Sequence, residues 1–160
     1  MLYFFHGLES GPHGAKYHLI REHYPELKSP DFQGMNLQQR LDAAAAITAG
    51  QSQLTLVGSS FGGLLAARLY ALYPERIDNL LLLAPAVHTE EGDKVTRMPA
   101  AGQVRVLQGY DDDVVPYDKV AAFCQRFALP LTGVQDGHRL SSDSSQQAII
   151  RLLREIHITN

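Results

Sequence analysis

The sequence predicts an α/β fold: a parallel sheet of buried strands with helices on both faces. Three observations carry this expectation. Short apolar runs alternate with longer stretches of helical spacing along the chain, the order that builds βαβ units with right-handed crossovers. The runs are apolar at successive positions, as in Leu80-Leu81-Leu82-Leu83, which marks strands covered on both faces. No internal repeat or low-complexity linker interrupts the pattern, so residues 1–160 are expected to form one domain.

The elements follow in order. Leu2–Phe5 is apolar and aromatic and reads as a buried strand. His6-Gly7-Leu8-Glu9-Ser10-Gly11-Pro12 is a loop punctuated by Gly and Pro. Tyr17, Ile20 and Tyr24 stand near helical spacing, so a helix is expected over 15–24, stopped by Pro25. A weak, short strand is expected over 27–29, before Pro30. Asn36 caps an Ala-rich helix over 37–48 that ends at Gly50. The central strand runs over 54–57, and Phe61–Leu72 is the helix after it, ended by Tyr73-Pro74. Another strand spans 77–84. From 86 to 102 the chain turns polar, with Glu90, Glu91, Asp93, Lys94 and Arg97 and no clear period. A strand over 104–108, a helix over 118–127, a strand Leu131–Val134 and a helix over 144–156, capped by Asp143, complete the chain.

Composition narrows the function classes. A chain of 160 residues can bury about 70% of its unfolded surface, enough for a core without cross-links. A net charge of −3 and the absence of a Lys/Arg cluster argue against a nucleic-acid surface. A single cysteine, Cys124, excludes an internal disulfide and reads as a helix-buried hydrophobe, in keeping with a reducing compartment. No run is long enough to span a membrane, and the first residues lack the basic region of a signal peptide. The expectation is a cytoplasmic protein without nucleic-acid or membrane partners.

The chemistry gathers at strand ends, where the open rim of a parallel sheet places its site. The strand ending at Val57 breaks into Gly58-Ser59-Ser60-Phe61-Gly62, and a helix follows at once. This is a Gly-x-Ser-x-Gly nucleophile elbow in the strand–turn–helix setting it needs. Ser60 would stand in a strained turn, with small residues beside it because side chains there would meet backbone. A serine hydroxyl needs a histidine to take its proton and a carboxylate to orient that histidine. After the next-to-last strand come Asp111, Asp112 and Asp113, and after the last strand comes His138. Asp136, two residues before His138, is read as shaping the turn with Gly137. The oxyanion donors are expected from the backbone N–H of Phe61, directly after the nucleophile, and of Leu8, in the loop after the first strand. His6 is read as fixing that loop by hydrogen bonding. His13, His18, His23, His88 and His157 show no ligand spacing, so neither a metal nor a cofactor is expected.

On these residues the chain resembles the α/β-hydrolases, and in particular small bacterial YqiA-like esterases. The opening His6-Gly7-Leu8-Glu9-Ser10-Gly11-Pro12-His13-Gly14-Ala15-Lys16 is similar to their His-Gly-x-x-Ser-x-Pro-x-x-Ala-Lys pattern. The elbow, Pro85-Ala86-Val87, the Asp112-Asp113-Val114-Val115 loop and Gly137-His138 also correspond, so the likeness covers nearly the whole chain. It implies a minimal hydrolase fold of about six parallel strands. It also implies a short, polar lid over 86–102 above a shallow, open acyl pocket. By position it makes Ser60 the nucleophile, Asp112 the acid, with Asp113 in reserve, and His138 the base. The implied activity is a serine hydrolase for small carboxylic esters or thioesters, working through an acyl-enzyme. The same triad acting on an amide or carbon–carbon bond, and a binding module on the same scaffold, are the competing readings. The lid charges Lys94 and Arg97 are read as solvated surface.

Overall fold

Five strands, all parallel, form one sheet in a computed structural model that describes residues 1–157. They are β1 (Leu2–Phe5), β2 (Leu54–Ser59), β3 (Ile77–Leu83), β4 (Val104–Gly109) and β5 (Leu131–Val134), and they lie side by side in chain order. The helices are α1 (Ala15–His23), α2 (Leu37–Ile47), α3 (Phe61–Leu72), a single turn α4 (Glu90–Asp93), α5 (Tyr117–Arg126) and α6 (Asp143–Ile156).

The alternation of side chains along each strand explains the apolar runs. Tyr3, Phe5, Leu80 and Leu82 face a core built with α2, α3 and α5. Leu2, Phe4, Leu81 and Leu83 face a second core built with α1 and α6. With strands in chain order, right-handed crossovers put every connecting helix on the same face, which is where α2, α3 and α5 lie. The chain leaves that pattern at two places. After β5 it has no further strand to reach, and α6 covers the opposite face. After β1 it first moves to the outer edge of the sheet, which sends α1 to the opposite face as well.

That outer edge is where the expected sixth strand would lie. It is reduced to one bridge, with Phe4 N–H donating to Lys28 C=O at 2.8 Å and Lys28 N–H to Leu2 C=O at 3.0 Å. Pro30 has no N–H with which to extend the ladder, so the sheet has five strands and a bridged residue rather than six.

Helix ends follow local chemistry. Asn36 and Gln39 close a reciprocal capping box on α2, each bond 2.9 Å. The cap of α6 is Ser142 and not Asp143: its hydroxyl accepts from Ser145 N–H at 3.1 Å, and Asp143 is the first helical residue. The lid segment is polar in composition but not free of the body. Val87 and Val95 are buried in the core beside α3, and Arg68 reaches up to Glu91 at 2.6 Å. Lys94 also pairs with Glu91, at 2.9 Å, and Arg97 donates to Ala71 C=O at 3.0 Å. Among the described residues no helix is long and apolar enough to cross a membrane.

Candidate active site

The turn between β2 and α3 is held in a conformation that L-residues seldom adopt. Ser60 has φ 55° and ψ −115°. Its surroundings fix it there. Ser60 N–H donates to Leu83 C=O at 2.9 Å, and Ser60 C=O accepts from Gly63 N–H and Ala86 N–H, each at 2.9 Å. Only glycine fits beside it. A Cβ on Gly58 would stand 2.7 Å from Gly63 Cα, and one on Gly62 would stand 2.6 Å from His6 C=O.

His138 reaches this turn from the loop after β5. Its Nε2 lies 2.9 Å from Ser60 Oγ, and its Nδ1 lies 2.8 Å from Asp112 Oδ2. A carboxylate only accepts, so Nδ1 carries the proton and Nε2 presents its lone pair to the Ser60 hydroxyl. Asp112 follows β4 and its side chain is out of water. Val114 N–H and Val115 N–H donate to Oδ1 at 2.8 and 2.7 Å, and Gln108 Nε2 donates to Oδ2 at 3.0 Å. With the His138 bond this gives the carboxylate four partners, and the imidazole is aimed by a group that cannot swing. Asp113, the reserve candidate, and Asp111 are exposed, and Asp111 accepts from Gln135 at the surface.

The loop after β1 passes directly over the elbow. A Cβ on Gly7 would lie 3.7 Å from Ser60 Cβ. Leu8 N–H makes no hydrogen bond among the described residues, and Phe61 N–H is the first of α3, with no helical carbonyl behind it. Both residues border a cleft of about 920 Å³ that also holds Ser60, His138 and Val115. His6 is buried beneath. Its Nε2 accepts from Phe32 N–H at 2.8 Å, so the ring proton is on Nδ1, which donates to Gly7 C=O at 2.8 Å. Burial pushes this imidazole down from its ordinary value, against the upward pull of the Gly7 bond.

Asp136 shapes the turn that carries His138. Burial alone would push its carboxyl up, but Ser145 Oγ at 2.6 Å, Ser142 N–H at 3.0 Å and Gly137 N–H at 2.7 Å outweigh it and hold it at about 2. Lys16, from the opening pattern, ties α1 to the same loop by donating to Arg139 C=O at 2.6 Å. Among the described residues no group of three or more His, Cys, Asp or Glu stands where it could hold a metal ion.

Two residues of the site escaped the sequence reading. Gln108 is fully buried and follows Val106 and Leu107 in β4; an amide at the end of that apolar run, one residue before Gly109, was its signal. Arg40 is also fully buried, on α2. Leu37, Leu41 and Ala44 mark the inward face of that helix at helical spacing, and Arg40 falls on it, where an arginine needs a reason.

Comparison with known proteins bears on the fold and the family. One curated relative, Lipase LipV of Mycobacterium tuberculosis (strain ATCC 25618 / H37Rv), is 33% identical over 88 residues, which are 47% of this chain and 34% of that protein. The chain thus spans about a third of that relative's length. A solved structure from Xanthomonas campestris pv. campestris, of the alpha/beta hydrolase superfamily, superposes with a TM-score of 0.76 at 25% identity, covering 96% of each chain. Mouse alpha/beta hydrolase domain-containing protein 10 shares the fold, with a TM-score of 0.77 at 18% identity over 97% of this chain and 88% of that one. A family model described as alpha/beta hydrolase fold matches residues 22–147, and the chain belongs to that family.

Proposed function

We propose that this protein is a serine hydrolase that cleaves small carboxylic esters or thioesters through an acyl-enzyme, with Ser60, His138 and Asp112 as its triad. The observation that carries the reading is the unbroken line of hydrogen bonds from Ser60 Oγ through His138 to Asp112, at 2.9 and 2.8 Å. In this scheme Ser60 Oγ attacks the carbonyl carbon while His138 Nε2 takes the hydroxyl proton. Asp112 stabilises the imidazolium that forms. The carbonyl oxygen becomes an oxyanion and receives the N–H groups of Leu8 and Phe61. Collapse of the tetrahedral adduct expels the alcohol or thiol, which leaves with the proton from His138. Water, activated by the same imidazole, then releases the acid and restores Ser60.

The cleft supports an apolar substrate portion. Leu8 and Val114 line it and are 57% and 54% exposed, so two of the larger apolar side chains on the surface flank the reacting serine. The relative named as a lipase and the resemblance of the opening pattern to that of YqiA-like esterases support ester chemistry over other bonds. A single buried thiol and no disulfide suit a cytoplasmic setting.

A fluorophosphonate probe tests this directly. It should label Ser60 at one equivalent per chain, and Ser60→Ala should lower aryl-ester turnover by about 10⁴-fold or more. Label on another serine would remove the assignment of Ser60, and no label at all would leave a binding module.

A further inference from the structure

Arg40 ranks first by volume among the side chains wholly out of water, and among the described residues no carboxylate pairs with it. Its guanidinium is met by carbonyls. Nε donates to Met35 C=O at 3.3 Å, Nη1 to His6 C=O at 3.0 Å and Nη2 to Gly7 C=O at 3.3 Å. The cation also lies 4.9 Å over the ring of Phe61 and 5.8 Å over that of Phe32. Asp31 pulls against the cost of burying this cation, but it is exposed and makes no ion pair with it, and a buried cation so weakly compensated is an expensive feature in a resting protein. Core packing alone would be served better by leucine or methionine at this helical position.

Its neighbours give the reason. The Gly7 carbonyl and the Leu8 N–H are opposite ends of one peptide group. In a trans peptide these two bonds point in opposite directions. Arg40 Nη2 and His6 Nδ1 both draw the carbonyl inward, so the Leu8 N–H is turned outward, on the side where the loop crosses the elbow. Two donors on the oxygen also polarise the peptide and make its N–H a stronger donor. Phe61, whose N–H is the other expected donor, is braced by the same guanidinium through its ring.

We infer that Arg40 is a positioning residue for the oxyanion pocket. It sets the Gly7–Leu8 peptide, steadies Phe61, and adds a positive potential, only weakly offset by the exposed Asp31, where the substrate oxygen becomes negative. Stabilisation of this kind favours the transition state over the bound ester, which is what raises kcat. The inference rests on the reading of Ser60 as the nucleophile.

The test compares Arg40→Met and Arg40→Lys with the parent on one aryl ester, with active sites counted by fluorophosphonate titration. Per titrated site, kcat should fall about 10- to 100-fold in Arg40→Met while KM stays within about threefold. An aryl boronic acid, which forms a tetrahedral adduct on serine, should lose affinity by a similar factor. Arg40→Lys, which keeps the charge, should recover part of both losses. A purely structural role would lower the titrated fraction and leave per-site kcat and boronate affinity at parental values; that result overturns the inference. The parent supplies a readout that needs no variant to fold. On boronate binding the Leu8 amide proton should move downfield in the NMR spectrum, and an unmoved Leu8 resonance would also overturn it. A parent in which Ser60 takes no phosphonate fails earlier and differently, since it removes the hydrolase reading itself.

Discussion

Ser60 holds a backbone conformation that a serine adopts only when its neighbours leave it no other, and those neighbours are named. The glycines at 58 and 62 are therefore as constrained as the serine. Gly58→Ala should destabilise the fold by about 2 kcal/mol in urea titration, because a close contact with Gly63 Cα forces the backbone to move. It should also lower the fraction of protein that a phosphonate can titrate. This much of the site is legible in the letters, since Gly-x-Ser-x-Gly between a strand and a helix specifies both the strain and the residue that bears it. The choice among Asp111, Asp112 and Asp113 is legible only through the family pattern. What separates them physically is burial and four hydrogen bonds on one carboxylate, and neither has a one-dimensional trace. Arg40 is harder still. Two of its three carbonyl partners are 33 and 34 positions away, and carbonyls are the same in every residue.

At the scale of elements, the loop between β5 and α6 decides where His138 stands. Asp136 organises it, joining Gly137 N–H to the first turn of α6 through Ser142 and Ser145. The folded-state pKa of about 2 lies below the ordinary carboxylate value, so the sign is that of a stabilising anion. The contribution is complete above the unfolded value of about 3.9 and is lost as the pH falls through about 2. Asp136→Asn should cost about 1–2 kcal/mol at pH 7, and the difference from the parent should vanish on titration toward pH 2. The cap at Ser142 was not visible beforehand, because Ser141, Ser142, Asp143 and Ser144 are all competent caps in sequence. The expected strand over 27–29 marks another limit: its position beside β1 is right, and Pro30 keeps it to one bridged residue.

Across the whole molecule, Ser60, Asp112 and His138 follow the ends of β2, β4 and β5, so they meet only when the sheet is assembled from β2 to its edge at β5. Activity should then be lost with the global transition. Cys124 provides an independent reporter. It is buried on α5 against the core, and burial pushes its thiol up to about 12. An aromatic disulfide reagent at pH 8 should leave the native thiol untouched and modify one equivalent in urea. The midpoint of that exposure should coincide with the loss of ester turnover. The architecture was readable because alternation of apolar runs and helices constrains topology strongly. The even two-sided cover of the sheet was readable for the same reason, since Leu80-Leu81-Leu82-Leu83 has no polar face to show water.

The segment above the cleft is fastened to the body by Val87, Val95 and the Arg68–Glu91 bridge. On the proposed activity, turnover is expected to need no opening of this segment. Initial velocity should rise smoothly as an ester is taken through its solubility limit, with neither a lag nor a jump when droplets form. On the proposed activity, the expected substrates are molecules dispersed in water, taken one at a time, with nothing gained from an oil surface.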